Sequence, residues 1–229
     1  MVCTIVLAAG KGTRMGGNVP KVLRKVKCKT MLEHIVYTAK GLSDKVVVVI
    51  SEDNKSDIEK LQLNVEYATQ KVLNGTASAV LTALTNMHQR DDILVLLGDV
   101  PFLKLNTLKK IVEKNNACVI LGFVNEDMQN KFGRIKIEND TVKSIIEYSE
   151  ATIQEKKIQI VNSGILFLKA EYLKYLYEID NNNSKSEYYL TDIVKILNSH
   201  NISVSYEEAP IQECLGANTP EDLALLESL

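Results

Sequence analysis

A glycine-rich, basic segment near the start of the chain has the composition of an anion-binding loop. Residues 7–15 read Leu-Ala-Ala-Gly-Lys-Gly-Thr-Arg-Met, and Lys21 follows a few residues later. Small residues let a ligand approach the backbone N–H groups, and Arg14 and Lys21 supply positive charge for phosphoryl oxygens. Met15 replaces the third glycine of a dinucleotide fingerprint, and the Walker A spacing is absent. The segment predicts a phosphate-binding loop of another kind, and a surface loop with incidental basic residues is the alternative.

Polar side chains also follow two predicted strands where these strands end. Gln70 offers a donor and an acceptor to a base edge, and Gly75 and Thr76 open a helix after it. Asp99 follows the apolar run 93–97 and supplies a carboxylate for a hard cation such as Mg²⁺. Carboxyl ends of parallel strands meet at one sheet edge, so these groups are expected near the phosphate-binding loop. The alternatives are a helix cap with a surface glutamine, and an aspartate that forms a turn before proline.

Short apolar runs alternate with helical patterns through the first half of the chain, which is the order of β-α-β units. Residues 46–50 are β-branched and apolar on both faces, as in parallel strands covered from both sides. The first half is therefore predicted to form a doubly wound, mostly parallel, Rossmann-like α/β sheet. Its strands are predicted at 2–9, 45–51, 65–68, 93–97 and 118–123, and its helices at 31–40, 55–61, 76–87 and 105–114.

After residue 122 the pattern changes to closely spaced strands separated by polar turns. These strands are predicted at 133–137, 142–148 and 158–168 and indicate a small antiparallel layer attached to the parallel sheet. A helix is predicted at 187–198. The last helix is predicted to begin with Thr219 as its cap and Pro220 in its first turn.

The composition is that of a globular chain. Its 229 residues include 27 basic and 29 acidic side chains, for a formal net charge of -2. This balance gives no reason to expect a nucleic-acid partner or a membrane surface. The longest apolar runs are far shorter than the roughly 20 residues that span a membrane. We therefore expect one cytoplasmic domain over residues 1–229, whereas the oligomeric state is not predicted.

The motifs match a known family in their order along the chain. Beyond residues 7–15, they are Pro-Lys-Val-Leu from residue 20, Gln70 with Gly-Thr-Ala from 75, Gly-Asp-Val-Pro from 98, Phe-Gly-Arg-Ile from 132, Asn-Ser-Gly-Ile from 162, Glu-Tyr-Tyr-Leu-Thr-Asp-Ile from 187 and Gly-Ala-Asn from 216. This set resembles the uridylyltransferase domain of the bacterial bifunctional GlmU family across essentially the whole chain. The resemblance implies a GT-A-like nucleotidyltransferase. It would transfer a uridylyl group from UTP to a sugar 1-phosphate, N-acetylglucosamine 1-phosphate first of all, with Mg²⁺ as cofactor.

The resemblance also implies roles for residues at matching positions. Catalytic contacts to the triphosphate and the reacting α-phosphate are implied for Arg14 and Lys21. The implied nucleotide-binding residues are Leu7, Ala8, Ala9, Gly10, Gln70, Gly75 and Thr76, and the implied sugar-binding residues are Gly133, Glu147 and Asn162. Asp99 and Asn218 are the implied Mg²⁺ ligands. Asn218 also suits a cation by position, because we expect it just outside a strand end and before the cap of the last helix. Residues 1–124 would form the nucleotide-binding half and residues 125–229 the sugar-binding half.

Several positions depart from the family pattern. The family's Glu-x-Lys-Asp-Ala stretch reads Glu-Tyr-Ser-Glu-Ala at residues 147–151, so a lysine near the sugar phosphate is missing. Leu73 and Ser78 replace residues of the uracil-binding segment, and Leu97 replaces an often polar or aromatic residue. A related hexose or hexosamine 1-phosphate is therefore the alternative acceptor. We expect no left-handed β-helix domain, and hence neither its acetyltransferase activity nor a trimer built by it.

Two further alternatives remain open at this level. The first loop also occurs in guanylyltransferases and cytidylyltransferases, so a GTP- or CTP-dependent enzyme with another acceptor is the first. The second is a catalytically silent nucleotide sensor, suggested by the altered stretch at 147–151. Retention of Arg14, Lys21, Asp99 and Asn218 favours the enzyme.

Overall fold

A computed structural model of the chain describes residues 1–10, 12, 15–16, 19–87, 90–127 and 129–229. The strands of this part of the chain, named β1 to β11 in order, are Val2–Leu7, Lys25–Val26, Lys29–Thr30, Lys45–Ser51, Glu66–Gln70, Asp92–Leu97, Cys118–Val124, Arg134–Glu138, Thr141–Ile146, Ile160–Leu168 and Val204–Glu208. The α-helices, named α1 to α7, are Met31–Lys40, Lys55–Glu59, Thr76–Leu84, Leu105–Glu113, Ile193–Ser199, Ile211–Cys214 and Pro220–Ser228. Turns of 3₁₀ helix lie at Lys21–Leu23, Glu155–Lys157, Ala170–Glu178 and Leu190–Asp192.

One mixed sheet organises the fold. Its strands run in the order β11-β7-β10-β6-β1-β4-β5. β6, β1, β4 and β5 are parallel neighbours, as are β11 and β7, whereas β10 is antiparallel to both β6 and β7. The short strands β2 and β3 form a separate hairpin. The predicted doubly wound, mostly parallel sheet is confirmed.

The apolar side chains of the strands pack into two buried layers, one on each face of the sheet. In β4, Val47 and Val49 enter one layer, and Val48 and Ile50 enter the other. Side chains of α3 and α5 belong to the first layer, and those of α1 and α4 to the second. Alternate side chains of a strand point to opposite faces, so a run without polar residues requires helices on both sides.

The predicted antiparallel layer is formed by β8, β9 and β10. β8 pairs with β9 and, through Arg134 and Val161, with β10. The register of β10 against β7 shifts between Asn162 and Leu166. Gly164 lies in this irregularity with φ +83°, a conformation that favours glycine. The layer therefore carries a bulge beside Asn162, one of the implied sugar ligands.

The helix predicted at 187–198 begins later than expected. Tyr188 lies outside the helix, because its N–H donates to the Asn74 carbonyl (2.8 Å) and its carbonyl accepts from Ala77 N–H (3.0 Å). These bonds occupy the groups that a helix ladder would use, so the turn starts at Leu190. The capping box of Thr219 and Asp222 confirms the predicted start of α7. Sequence analysis did not predict β2, β3, β11, α6 or the turn Ala170–Glu178.

Among the helices of the described residues, none combines the length and the apolar character that crossing a membrane requires.

Candidate active site

Three polar side chains from distant parts of the chain meet beyond the carboxyl ends of β1 and β6. The Lys21 ammonium donates to Asp99 Oδ2 over 2.5 Å and to Asn218 Oδ1 over 2.9 Å. The Lys21 and Asp99 side chains are 16% and 14% exposed, so the cluster is shielded from bulk water yet open to a ligand. The implied catalytic lysine and both implied metal ligands are thus brought together.

A close backbone approach places Lys21. Gly12 has φ +59°, and a Cβ there would lie 2.5 Å from the Lys21 Cβ. Only glycine fits this approach without displacing the lysine. Pro20 precedes the 3₁₀ turn at Lys21–Leu23, and Arg24 N–H closes that turn on the Lys21 carbonyl (3.0 Å). Arg14, Lys11 and Thr13 lie outside the described residues, so the implied role of Arg14 stays a prediction.

Asp99 leaves the sheet through a tight turn after β6. Gly98 N–H donates to the Leu7 carbonyl (2.9 Å), and Val100 N–H donates to the Leu97 carbonyl (3.2 Å). A Cβ on Gly98 would lie 3.0 Å from the Leu7 carbonyl oxygen. The turn therefore holds Asp99 against the end of β1, where the first loop begins.

Asn218 reaches Asp99 from a loop, not from a strand end. The expected strand is absent at this point in the described chain, since α6 and three loop residues precede Asn218. Ala217 N–H donates to the Asp99 carbonyl (3.3 Å), and a Cβ on Gly216 would lie 2.9 Å from that oxygen. Asp222 Oδ2 accepts from Asn218 N–H (2.8 Å) and Thr219 N–H (2.9 Å). The cap of α7 thereby fixes the backbone of the amide ligand.

The pair of Asp99 and Asn218 suits a hard cation. One carboxylate oxygen and one amide oxygen both lie within hydrogen-bonding distance of the Lys21 ammonium. The ammonium occupies the position where a metal cation would be bound by both oxygens. Mg²⁺ takes one or two protein oxygens and completes its octahedron with water and phosphate oxygens. The part of the chain that the structure describes contains no group of three or more His, Cys, Asp or Glu side chains arranged for a metal.

The implied nucleotide loop begins where β1 ends. Ala8 and Ala9 are buried, whereas Gly10 is exposed, and no atom outside its chain neighbours lies within 4 Å of where its Cβ would be. Ala8 N–H donates to the Val49 carbonyl, and the Ala8 carbonyl accepts from the buried Asn54 amide, each over 2.8 Å. Asn54 Oδ1 accepts from Ser51 N–H (2.9 Å). Asn54 was not predicted to have a role, because a lone asparagine before a short helix gives no signal of long-range bonding.

A second turn holds Gln70, Gly75 and Thr76 at the same sheet edge. The buried Gln70 amide donates to the Gly75 carbonyl (3.2 Å), and Thr76 Oγ1 accepts from Leu190 N–H (2.9 Å). Gly75 has φ +131°, and a Cβ there would overlap the backbone of Tyr188. The implied uracil-binding residues are therefore close together, and the Gln70 and Thr76 side chains also brace the turn.

A cavity of about 140 Å³ adjoins this edge. Its walls are mainly apolar, and its polar groups include Thr76, Glu147, Asn162 and Thr191. Glu147 Oε1 accepts from the Thr191 hydroxyl (3.1 Å), and Asn162 Oδ1 accepts from Gly164 N–H (3.1 Å). Burial raises the pKa of Glu147, opposed by the Thr191 hydrogen bond and the charge of Lys185. A carboxylate held in an apolar wall is suited to accept hydrogen bonds from a polar ligand.

The implied sugar residues meet at this cavity. Asn162 N–H donates to the Gly133 carbonyl (2.8 Å), and a Cβ on Gly133 would lie 3.7 Å from Glu147 Oε1. The sequence patterns assign no role to Thr191, and its polar residue type within the motif from Glu187 is the available signal. Glu150, in the altered stretch, accepts from the Ser184 hydroxyl and N–H (3.3 Å each) and so ties a loop beside the site.

The fold and this site define a nucleotidyltransferase. The chain belongs to the MobA-like NTP transferase domain family, whose pattern matches residues 4–178. It is 34% identical over 232 residues to the bifunctional protein GlmU of Buchnera aphidicola subsp. Schizaphis graminum, covering 98% of this chain and 50% of that protein. It is 37% identical over 231 residues to the bifunctional protein GlmU of Wolbachia sp. subsp. Brugia malayi, covering 97% of this chain and 56% of that protein. The chain thus spans about half the length of these curated relatives.

A solved structure shows the same fold at low sequence identity. The apo form of a UDP-glucose pyrophosphorylase superposes with a TM-score of 0.77 at 15% identity, covering 100% of this chain and 97% of that one. The predicted nucleotidyltransferase fold is confirmed.

Proposed function

We propose that the chain is a sugar-1-phosphate uridylyltransferase that converts UTP and N-acetylglucosamine 1-phosphate to UDP-N-acetylglucosamine and pyrophosphate. The observation that carries this proposal is the convergence of Lys21, Asp99 and Asn218 beside the Glu147 cavity. Leu7 and Leu97 line that cavity, and the first loop and the Asp99 turn begin directly after them. A nucleotide subsite and an acceptor subsite therefore adjoin at one sheet edge.

The reaction needs positioning and charge neutralisation. An ionised phosphate oxygen of the sugar phosphate attacks the α-phosphorus of UTP, the bond to the β-phosphate oxygen breaks, and pyrophosphate leaves with the electron pair. Lys21 places its ammonium on the α-phosphate, where negative charge spreads over the oxygens in the transition state. Arg14 adds charge on the triphosphate. Since the attacking oxygen is already ionised, no general base is required.

Asp99 and Asn218 would hold Mg²⁺. When bound, the ion neutralises phosphate charge and orients the oxygens of the triphosphate. Leu7, Ala8, Ala9 and Gly10 supply a backbone that a nucleotide can approach closely. Gln70, Gly75 and Thr76 surround the base. Residues 1–124 then form the nucleotide half and residues 125–229 the acceptor half.

The cavity supports an N-acylated amino sugar as the acceptor. Glu147 and Asn162 offer polar groups to sugar hydroxyls, and Gly133 offers its backbone at short range. The remaining walls include Leu97, Ile145 and other apolar residues, which favour an acetamido methyl group over a hydroxyl. Identity of 34% and 37% to two GlmU proteins supports the same acceptor. A hexose 1-phosphate is the second candidate, because Ser149 and Glu150 alter the stretch beside Glu147.

Pyrophosphate release tests the proposal. Purified protein with Mg²⁺ would be assayed with UTP, CTP, GTP and dTTP against a panel of hexose and hexosamine 1-phosphates. We expect the largest kcat/KM with UTP and N-acetylglucosamine 1-phosphate, and loss of turnover in Asp99→Ala but not in Asp57→Ala, an exposed partner of Lys60. Preference for another nucleotide or sugar phosphate would refute the assignment. UTP binding without turnover on any acceptor would indicate a sensor.

A further inference from the structure

Arg134 is fully buried and directly follows Gly133, one of the residues proposed to bind the acceptor. The residue is 0% exposed, and no carboxylate of the described residues lies within ion-pair distance of it. Burial lowers the pKa of Arg134, although Asp127 is near enough for its charge to raise that pKa against the effect of burial. Burial of an arginine without a directly paired carboxylate carries a large desolvation cost. Hydrogen bonds from its five N–H donors offset that cost and hold the groups that accept them in fixed positions.

One side of the guanidinium fixes the segment that ends at Gly133. Arg134 Nη1 donates to the Phe132 carbonyl (2.5 Å) and to Asn130 Oδ1 (2.8 Å), and Nη2 donates to the Asn130 carbonyl (3.2 Å). Asn130 Oδ1 also accepts from Phe132 N–H (3.2 Å). Residues 130–133 are thereby held together by hydrogen bonds to the Arg134 guanidinium. The last of these residues, Gly133, in turn accepts from Asn162 N–H.

The other side of the guanidinium fixes the turn that follows Glu147. Its central carbon lies 5.6 Å from the ring centre of Tyr148, and the Lys156 ammonium lies 4.7 Å from the same ring. Arg134 Nε donates to the Lys156 carbonyl (3.2 Å). Across the sheet, Arg134 pairs with Ile146, the residue before Glu147. One side chain thus contacts the neighbours of both Gly133 and Glu147.

We propose that Arg134 is a positioning residue for the acceptor, setting the distance between the Gly133 backbone and the Glu147 carboxylate that together bind the sugar. This inference rests on the proposed function and goes beyond it, because Arg134 acts without touching either substrate. Arg134→Lys keeps a charge but loses the fork of donors, and Arg134→Met loses both. Two milder variants each remove one arm: Asn130→Ala on the Gly133 side and Tyr148→Leu on the Glu147 side.

Steady-state kinetics with each substrate varied separately test the proposal. We expect each variant to raise KM for the sugar phosphate about tenfold while leaving KM for UTP within about twofold, because only acceptor groups move. Ile111→Ala serves as the control for general destabilisation. Ile111 is buried in α4 and belongs to the second of the two buried layers, which contains the side chains of α1 and α4. This variant should leave both KM values unchanged. Equal changes in both KM values, or none in the two one-arm variants, would overturn the inference.

Hydrogen exchange supplies a readout that does not depend on turnover. Asn130→Ala and Tyr148→Leu should speed amide exchange at residues 130–134 and 146–150 without changing residues 68–76. Unchanged exchange at both segments would refute the positioning role even if the wild-type protein transferred nothing. Failure of the wild-type protein with every acceptor, by contrast, would count against the proposed function.

Discussion

The Lys21 ammonium bonds to Asp99 Oδ2, one of the two oxygens that suit a divalent cation, and it also bonds to the other, Asn218 Oδ1. If a divalent cation binds these two oxygens as proposed, it competes for them with the Lys21 ammonium. On this proposal, binding of the ion would draw the Lys21 ammonium away from them, and the ammonium would become available to the α-phosphate of a nucleotide. Lys21 would then compete with the metal before the nucleotide binds and act beside it afterwards.

Lys21→Met should bind a divalent cation more tightly while losing turnover. Without nucleotide, we expect Mn²⁺ affinity to rise about tenfold, because the competing charge is gone. Electron paramagnetic resonance of free Mn²⁺ would measure it. Lys60→Met removes an exposed lysine that pairs with Asp57 and should leave Mn²⁺ affinity unchanged. Weaker Mn²⁺ binding in Lys21→Met would show that the lysine supports the metal site instead of competing for it.

Two glycine substitutions should separate folding from nucleotide binding. Gly75→Ala forces a Cβ into the Tyr188 backbone at φ +131°, so we expect a loss of about 3 kcal/mol in the free energy of unfolding. Gly10→Ala meets no atom within 4 Å and should leave stability within about 0.5 kcal/mol. It should nevertheless weaken UTP binding, since the loop backbone can no longer be approached. Urea unfolding and calorimetric UTP titration distinguish the two; tight UTP binding by Gly10→Ala would contradict the nucleotide assignment.

Glu147→Gln should stabilise the folded protein near pH 8 and weaken binding of the acceptor. Burial raises the pKa of Glu147, so the folded protein holds this proton more tightly than the unfolded chain does. The free energy of unfolding therefore falls as pH rises through the interval from the ordinary carboxyl pKa to the raised one. We expect Glu147→Gln to melt above the wild type at about pH 8 and to lose most of that advantage near pH 4.

The Thr191 hydroxyl can still donate to the glutamine oxygen, so the comparison isolates the charge. KM for the sugar phosphate should rise in the variant, because a carboxylate accepts stronger hydrogen bonds than an amide. If the difference in melting temperature between Glu147→Gln and the wild type did not change with pH, burial would not raise the pKa of Glu147.

Asn54 should prove necessary for the first loop. Asn54→Ala leaves the Ala8 carbonyl and Ser51 N–H without their side-chain partners, at a cost of about 2–3 kcal/mol in the free energy of unfolding. UTP affinity should fall as well, because Ala8 begins the nucleotide loop. Asn198→Ala, which also removes an amide bonded to backbone carbonyls but lies on α5, should destabilise the protein without changing UTP affinity.

The sequence patterns predicted those features that local chemistry controls. The β-branched run of β4 predicted a doubly covered parallel strand, and Thr219 with Pro220 predicted the start of α7; both are confirmed. The start of α5 was wrong, because Tyr188 bonds to Asn74 and Ala77, more than 100 residues earlier. Helix propensities of the neighbouring residues cannot predict a hydrogen bond to so distant a segment. The polar residues of the motifs were expected near one sheet edge, and Lys21, Asp99 and Asn218 lie there together.

Interactions that bridge distant segments were not predictable. In the sequence Arg134 is one residue of the motif from Phe132, and its contacts with Phe132 and Tyr148, the neighbours of Gly133 and Glu147, become visible only in the fold. The position of Asn218 after α6 was likewise missed, because α6 has only four residues. Short helices leave little periodicity to detect.

The carboxylate of Asp222 joins the start of α7 to a ligand of the cation, since it accepts from both Thr219 and Asn218. Fraying of that helix therefore releases the backbone of Asn218, and a cation bound by Asn218 as proposed would in turn protect the first turn of the helix from fraying. On that proposal, cation affinity at this sheet edge and the local stability of α7 are two measures of one equilibrium. Any event that stabilises or loosens α7 would consequently change the affinity for the cation.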